Sequence, residues 1–571
     1  MSNDQVCGVT PPISVALPTE AERRYSDALI EELRRQKTFE SPSDTQKRYA
    51  VLESLQSICD EFVKRVAREK EPKNEILIKN ARGKVFTYGS FRLGVFGPGS
   101  DIDTLIVAPK YVNRDDYFKY FPELLSTMAP KGAITDLAVV TDAFVPIIKF
   151  EYSGISIDLI FSRIIQKQLA PDFKDLKDSS LLRGLDEAEL RSLNGTRVTD
   201  EILNLVPEQS TFKLALRAIK LWAQRRAVYG NIMGFPGGVA WAMLVARVCQ
   251  LYPKAATSVI VNKFFLIMSR WQWPQPVLLK PIESGPLPVR VWNPKVYKGD
   301  SFHLMPIITP AYPSMCATFN IGRSSMSIIN RELHRGLEIS EGIICGKQDW
   351  SDLFVKHTFF TLDYKYYVTV TSASKSKEAH NVWSGYVESK IRMLVQKLEQ
   401  HPSIALAHAF NKGYDRRHRC RNDSEIAEVQ EGSLQFLWNN SENGAAVGAQ
   451  DSDQTQSGTA AEPHEAVQSE IFTTTHYIGL ELDESAKSLD LSYQVDEFKA
   501  LCIQWKKYED ELKALVSIGV QHVRNFNLPD DVFDANEEKP RKKGVKSKKR
   551  SATEENPASA KRQQASVAAN G

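Results

Sequence analysis

Phe86-Thr-Tyr-Gly-Ser-Phe-Arg-Leu-Gly-Val-Phe-Gly-Pro-Gly-Ser-Asp-Ile-Asp-Thr-Leu-Ile-Val107 decides how this chain is read. A strand ends at Gly89-Ser90, a loop with Gly94, Gly97 and Gly99 follows, and Asp101-Ile102-Asp103 opens an apolar strand. Residues at i and i+2 on a strand share a face, so Asp101 and Asp103 project together while Ile102 points to the core. Two adjacent carboxylates repel unless a cation sits between them. Mg²⁺ takes hard oxygen ligands, typically one or two carboxylates plus substrate phosphates. The preceding Gly-Ser offers backbone N–H groups and a hydroxyl to phosphate oxygens. An isolated Asp-x-Asp means little, since a second one, Asp451-Ser-Asp453, lies in a polar low-complexity stretch. Strand placement and the glycine loop separate the first from the second.

A third carboxylate stands alone in an apolar run, Ile155-Ser-Ile-Asp-Leu-Ile-Phe161, as Asp158. An acid there is costly unless it is paired, metal-bound or turned to solvent. Three acids on two strands suit a two-metal site for in-line phosphoryl transfer.

Working outward, 571 residues are too many for one core and predict three or four domains. Val51, Leu55, Ile58, Phe62 and Val66 repeat at helical spacing behind a Ser43–Gln46 capping-box pair. Strand-like runs follow at Val85–Tyr88, Ile102–Ala108, Phe144–Phe150 and Ile155–Phe161, giving an α+β domain over 1–205 whose first 40 residues look peripheral. Residues 206–354 read as helical, with long patterns at Phe212–Arg226 and Val239–Leu251. Residues 355–534 read as a small α/β sandwich. Its strands are Tyr364–Thr371 and Ile471–Leu480. Its helical stripes are Val387–Leu398 and Phe498, Leu501, Trp505, Tyr508, Leu512. A polar insertion at about 441–468 and a Lys-rich tail, 535–571, read as disordered. The tail holds ten basic and four acidic residues, so +6 sits there and −3 on the rest, for a net +3. Any nucleic acid would meet local basic patches. No apolar run reaches membrane length, and the seven scattered cysteines form no CxxC pair.

Gly-Ser, a short loop, Asp-x-Asp and a later strand Asp resemble the signature of polymerase-β-like nucleotidyltransferases. Leu193-Asn-Gly-Thr-Arg-Val198, Arg217–Arg226, Phe235–Arg247 and Ile308–Cys316 extend the likeness to eukaryotic nuclear poly(A) polymerases over about residues 15–535. The resemblance implies a nucleotidyltransferase domain, a helical central domain and an RRM-like C-terminal domain. It implies template-independent transfer of AMP from ATP to mRNA 3′ ends in the nucleus, with two Mg²⁺ ions (Mn²⁺ as substitute) on Asp101, Asp103 and Asp158. The ATP contacts it implies are Tyr88, Gly89, Ser90, Ser100, Ile102, Lys220, Tyr229, Asn231, Gly238 and Val239, besides the three acids. RNA contacts are implied at Lys149, Asn320 and Lys390. Implied partners are subunits of the cleavage and polyadenylation machinery, with a monomeric chain and no membrane.

Physical reading adds three points. Lys213, Arg217, Lys220 and Gln224 fall at i, i+4, i+7 and i+11, one basic helical face, a pattern that a merely solvated face shares. The C-terminal domain lacks aromatic RNP signatures, so backbone contact is expected rather than base readout, with Lys390 and Arg392 facing out. Lys539–Arg550 has eight basic residues and no acid, the composition of a nuclear import signal. A uridylyl or CCA-adding transferase shares the acidic triad, because base choice rests on fine pocket shape. An inactive RNA-binding scaffold on this fold would have no reason to keep three mutually repelling acids.

Overall fold

A computed structural model describes residues 8–141, 143, 145–285, 287–438, 469–486 and 488–542. The expected insertion at 441–468, with its Asp451-Ser-Asp453, and the tail from 543 lie outside these residues.

The first domain runs α1 (Glu20–Arg35), α2 (Pro42–Lys70), α3 (Glu75–Asn80), β1 (Lys84–Thr87), α4 (Gly89–Leu93), β2 (Ile102–Ala108), α5 (Arg114–Met128), β3 (Ile134–Val140), β4 (Ile147–Tyr152) and β5 (Ile155–Arg163). Its sheet has the order β1-β2-β5-β4-β3, with β2 and β5 parallel and the other pairs antiparallel. Helix α2 buries Val51, Leu55, Ile58, Phe62 and Val66 in a core shared with α5 and the sheet. Each such side chain contributes about 1.5–3 kcal/mol. The cap is Ser41, whose Oγ accepts the Asp44 N–H at 3.1 Å, and not the expected Ser43. Pro42 explains the shift, since the first helical position tolerates a residue without an N–H.

The described part of the first 40 residues, 8–40, is not peripheral. Helix α1 starts at a Thr19–Glu22 capping box and buries Leu29 and Leu33 against the second domain. Ser26 Oγ donates to Ser258 Oγ at 2.9 Å, and Trp350 Nε1 donates to the Tyr25 carbonyl at 2.9 Å.

Helix α6 (Glu187–Leu205) packs on β5 and closes the first domain; the second contains α7 (Gln209–Arg225), α8 (Gly238–Leu251), α9 (Thr257–Ser269), α10 (Arg323–Ile344) and α11 (Trp350–Leu353). Helix α8 is apolar nearly all round and buried from Ala240 to Leu251, as such a helix must be. Trp222 of α7 packs edge-on against Trp241 of α8 and Phe265 of α9.

The third domain contains β6 (Tyr366–Ser374), α12 (Lys377–Leu398), β7 (Ile404–Ala409), β8 (Tyr414–Cys420), α13 (Asp423–Gln430), β9 (Ser469–Leu482), α14 (Ser492–Ile503), α15 (Asp510–Lys513) and β10 (Val516–Arg524). Its sheet has the order β10-β6-β9-β7, and β8 also pairs with β9. The aromatic stripe expected as one helix is split. Helix α14 ends at Ile503, and Trp505 instead stacks on Tyr386 of α12, centroids 4.1 Å apart and planes at 10°. Strands β3, β7, β8 and β10 have no counterpart among the predicted runs. No helix among the described residues is long and apolar enough to cross a membrane.

Candidate active site

Pairing of β2 with β5 sets Asp103 directly beside Asp158, and Asp101 precedes β2 by one residue. One oxygen from each of the three carboxylates lies within 4.8 Å of the others. Burial, then the charges of Asp101 and Asp158, push the Asp103 carboxyl up to about 7, against the pull of Lys149 and Lys220. A divalent cation fits here: the ligands are hard oxygens, and bound positive charge would relieve this repulsion. Lys149 of β4 is the cross-strand partner of Asp158, and its Nζ donates to Asp158 Oδ2 at 2.6 Å.

The glycine loop is shaped by this cluster. Gly89 has φ +63°, and a Cβ there would collide with Asp103 Oδ2. The Tyr88 N–H donates to the Asp103 carbonyl at 3.0 Å, fixing Ser90 at the start of α4 near the acids. Ser100 closes the loop by accepting the Gly97 N–H on its Oγ at 3.0 Å. Ile102 is fully buried, as its place between two acids required.

A cleft of about 870 Å³ lies over the triad, lined by Ser100, Asp101, Lys149 and Asp158 on one side and by Lys220 and Tyr229 on the other. Burial holds the Lys220 ammonium below its ordinary pKa, while Asp101 and Asp103 pull it back up. Burial, with Asp101 and Asp103, pushes the Tyr229 phenol up to about 12. A Cβ on Gly238 would come within 2.7 Å of the Tyr229 hydroxyl, so only glycine admits that ring. Next to it Val239 is exposed at the head of α8. Asn231 lies beside Gly237, and its carbonyl accepts from Asn320 Nδ2 at 3.1 Å.

Two expected RNA contacts sit differently. Asn320 is 9% exposed and supports the Asn231 turn. The Lys390 ammonium lies 4.9 Å from the Tyr386 ring centre. Arg392 faces out only in part: its Cδ lies near Gly234, and burial lowers its pKa. Nor is the basic face of α7 a solvated one. Arg217 donates to the carbonyls of Thr38, Phe96 (2.8 Å) and Gly94 (3.3 Å), clamping the glycine loop to the N-terminal segment.

Sequence reasoning missed Gln36, Lys37 and Thr38, which wall the cleft without any motif. It also missed Asp136, on a strand whose alternation is broken by a bulge between Thr135 and Ala138. The Leu193–Val198 string now has a physical role. Gly195 leaves room for the Tyr88 ring, which a Cβ there would meet at 3.0 Å, Thr196 Oγ1 donates to the Thr87 carbonyl, and Arg197 donates to the Tyr312 carbonyl.

The poly(A) polymerase nucleotidyltransferase domain family matches residues 8–206, the poly(A) polymerase central domain family 211–356, and the poly(A) polymerase predicted RNA binding domain family 358–542. Poly(A) polymerase pla1 of Schizosaccharomyces pombe is 50% identical over 98% of this chain and 99% of its own length. Poly(A) polymerase PAPa of Candida albicans is 49% identical over 94% of this chain and 95% of its own. Among solved structures, the RNA terminal uridylyl transferase Cid1 is similar at TM-score 0.40 and 13% identity, over 59% of this chain and 99% of its own, too remote to bear on base choice. A nucleotidyltransferase triad, a cleft shared with a helical domain, and three consecutive domain matches make this chain a member of the poly(A) polymerase family.

Proposed function

We infer that this chain adds AMP from ATP to the 3′ end of RNA without a template, releasing pyrophosphate. One observation carries the reading: three carboxylates within 4.8 Å of one another, of which Asp101 and Asp158 line a cleft that Lys220 and Tyr229 close from the second domain. The RNA 3′ oxygen bonds to the α-phosphorus of ATP, the bond from that phosphorus to the bridging oxygen of the β-phosphate breaks, and pyrophosphate leaves. Asp101, Asp103 and Asp158 would hold two Mg²⁺ ions, with Mn²⁺ as substitute. Bound there, the metal lowers the pKa of the attacking hydroxyl and offsets the charge of the triphosphate. Asp158 would assist the attacking hydroxyl, and Asp101 and Asp103 would serve the triphosphate. The Lys220 ammonium and the Tyr229 and Ser90 hydroxyls orient phosphate oxygens, while Gly238 and Val239 flank the base. Because the site is divided between two domains, it closes over its substrate and excludes water.

Asp103→Ala should cut turnover by several orders of magnitude. In EDTA its melting temperature should equal or exceed the parent's, because one of three repelling acids is gone. Near-normal extension of a primer by this folded variant would remove the mechanism. Each NTP supplied separately with a short RNA primer tests the choice of ATP; equal use of UTP would argue against adenylation.

Nuclear residence follows from Lys539–Arg550, and recruitment by subunits of the cleavage and polyadenylation machinery, with the chain as a monomer, completes the reading. Residues 534–539 are tied to the body: Lys356 pairs with Asp534 (2.7 Å) and Glu537 (3.0 Å), and Lys539 with Asp530 (2.8 Å). Truncation after residue 542 should therefore shift the protein to the cytoplasm and leave the rate per molecule unchanged. Undiminished nuclear accumulation would reject the import signal.

A further inference from the structure

Strand β8 presents a surface that the reaction does not use. Arg416, His418 and Cys420 are buried on one side, while Arg417 and Arg419, and Arg421 just beyond, are exposed on the other. The Trp438 ring packs against this stripe, its centre 3.8 Å from Arg417 Cζ and 3.5 Å from Arg419 Cζ. Two backbone hydrogen bonds hold it there: the Arg419 N–H to the Phe436 carbonyl (3.0 Å) and the Trp438 N–H to the Arg417 carbonyl (2.9 Å). Glu470 pairs with Arg417 at 2.5 Å, but among the described residues no carboxylate pairs with Arg419 or Arg421. Nearer the cleft, Asp415 is engaged by Thr474 Oγ1 at 2.6 Å.

Strand β8 starts close to the second-domain side of the cleft. Asn411, three residues before β8, donates from Nδ2 to the Tyr229 carbonyl at 3.2 Å. From there to Arg421 the chain spans about 33 Å at ~3.3 Å per residue. Arg419 and Arg421, two residues apart and without a carboxylate partner among the described residues, repel within a Debye length, a cost that a polyanion removes. Arginines held in place by an aromatic ring suit single-stranded nucleic acid, whose phosphates meet the charges without the bases being read. Guarding a bare sheet edge would not explain the arrangement, because Phe436–Trp438 already occupy that edge.

We propose that Arg417, Arg419, Arg421 and Trp438 form a path for the RNA backbone as the lengthening strand leaves the cleft. This rests on the reading that the chain extends RNA. The test is Arg419→Ser with Arg421→Ser in the full chain, assayed on oligo(A) primers of about 5 and about 20 nucleotides, below and above the span of one single-strand-binding module. The short primer should be extended within about twofold of the parent rate, while KM for the long primer rises several-fold. The logarithmic salt dependence of long-primer binding should become shallower by about 1.4, or ~0.7 for each phosphate that no longer meets an arginine. Arg419→Lys with Arg421→Lys should restore most of the long-primer affinity. Arg421→Ser alone, at an exposed side chain beyond the end of β8, gives a smaller change of the same kind if the double variant folds poorly. Equal shifts for both primers, or none, would overturn the path and leave the stripe to a protein contact. A parent chain that extends neither primer would remove the polymerase reading itself.

Discussion

At Gly89 a single hydrogen atom decides whether the triad can assemble. Its φ of +63° costs an L-residue roughly 1–2 kcal/mol, and the space a methyl would need holds the Asp103 carboxylate. Gly89→Ala should therefore lower stability by at least that amount and displace Asp103. Activity should fall far more than melting temperature. An alanine variant with parent-like turnover would show that the carboxylate has room to move. Gly238 under the Tyr229 hydroxyl and Gly195 under the Tyr88 ring are close approaches of the same kind, each placing an aromatic group of the cleft.

Among the elements, α7 does two jobs with one face. Its Lys220 and Gln224 look into the cleft, while Arg217 ties together Thr38, Gly94 and Phe96, segments that are far apart in sequence. Arg217→Met keeps an apolar stem of similar length and deletes both the donors and the guanidinium contact with the Phe39 ring. Each carbonyl left without a partner costs about 1–3 kcal/mol, toward the low end where water can reach it. The glycine loop should then loosen, so KM for ATP should rise while the affinity for a short RNA primer stays close to the parent's. An unchanged KM for ATP would mean that the loop holds its shape without the clamp.

Across the whole molecule, acid should destabilise the third domain and the segment leading into it. Burial lowers the pKa of His357 and His408 to about 3 and of His418 and His476 to about 4. Folded, these rings stay neutral; unfolded, they take up protons below the ordinary value of 6.5. The unfolded state thus binds more protons between about pH 6.5 and 4, so stability is full above that window and falls as pH drops through it. Thermal melts from pH 7.5 to 4.5 should show a steep decline below 6.5. A flat profile would mean that these histidines are protonated in the fold.

Local pattern was enough wherever one segment carried the whole signal. The α2 and α8 stripes, the glycine loop and the acids on β2 and β5 could be read directly, because helical and strand periodicity place side chains without help from distant residues. Strand β8 could not: Tyr-Asp-Arg-Arg-His-Arg-Cys looks like a polar loop until β9 accepts one of its edges and Phe436–Trp438 the other. Nor could the broken helix at Trp505, where stacking on Tyr386 wins over a continuous stripe, or the cleft walls at Gln36–Thr38 and Asp136. Those depend on partners tens to hundreds of residues away. The sequence by itself determined the chemistry of the triad and the family of the fold. Only tertiary packing decided that α1 belongs with the second domain, that Arg217 is a clamp and that Arg392 is half covered, because contacts between distant segments leave no periodic trace in the chain.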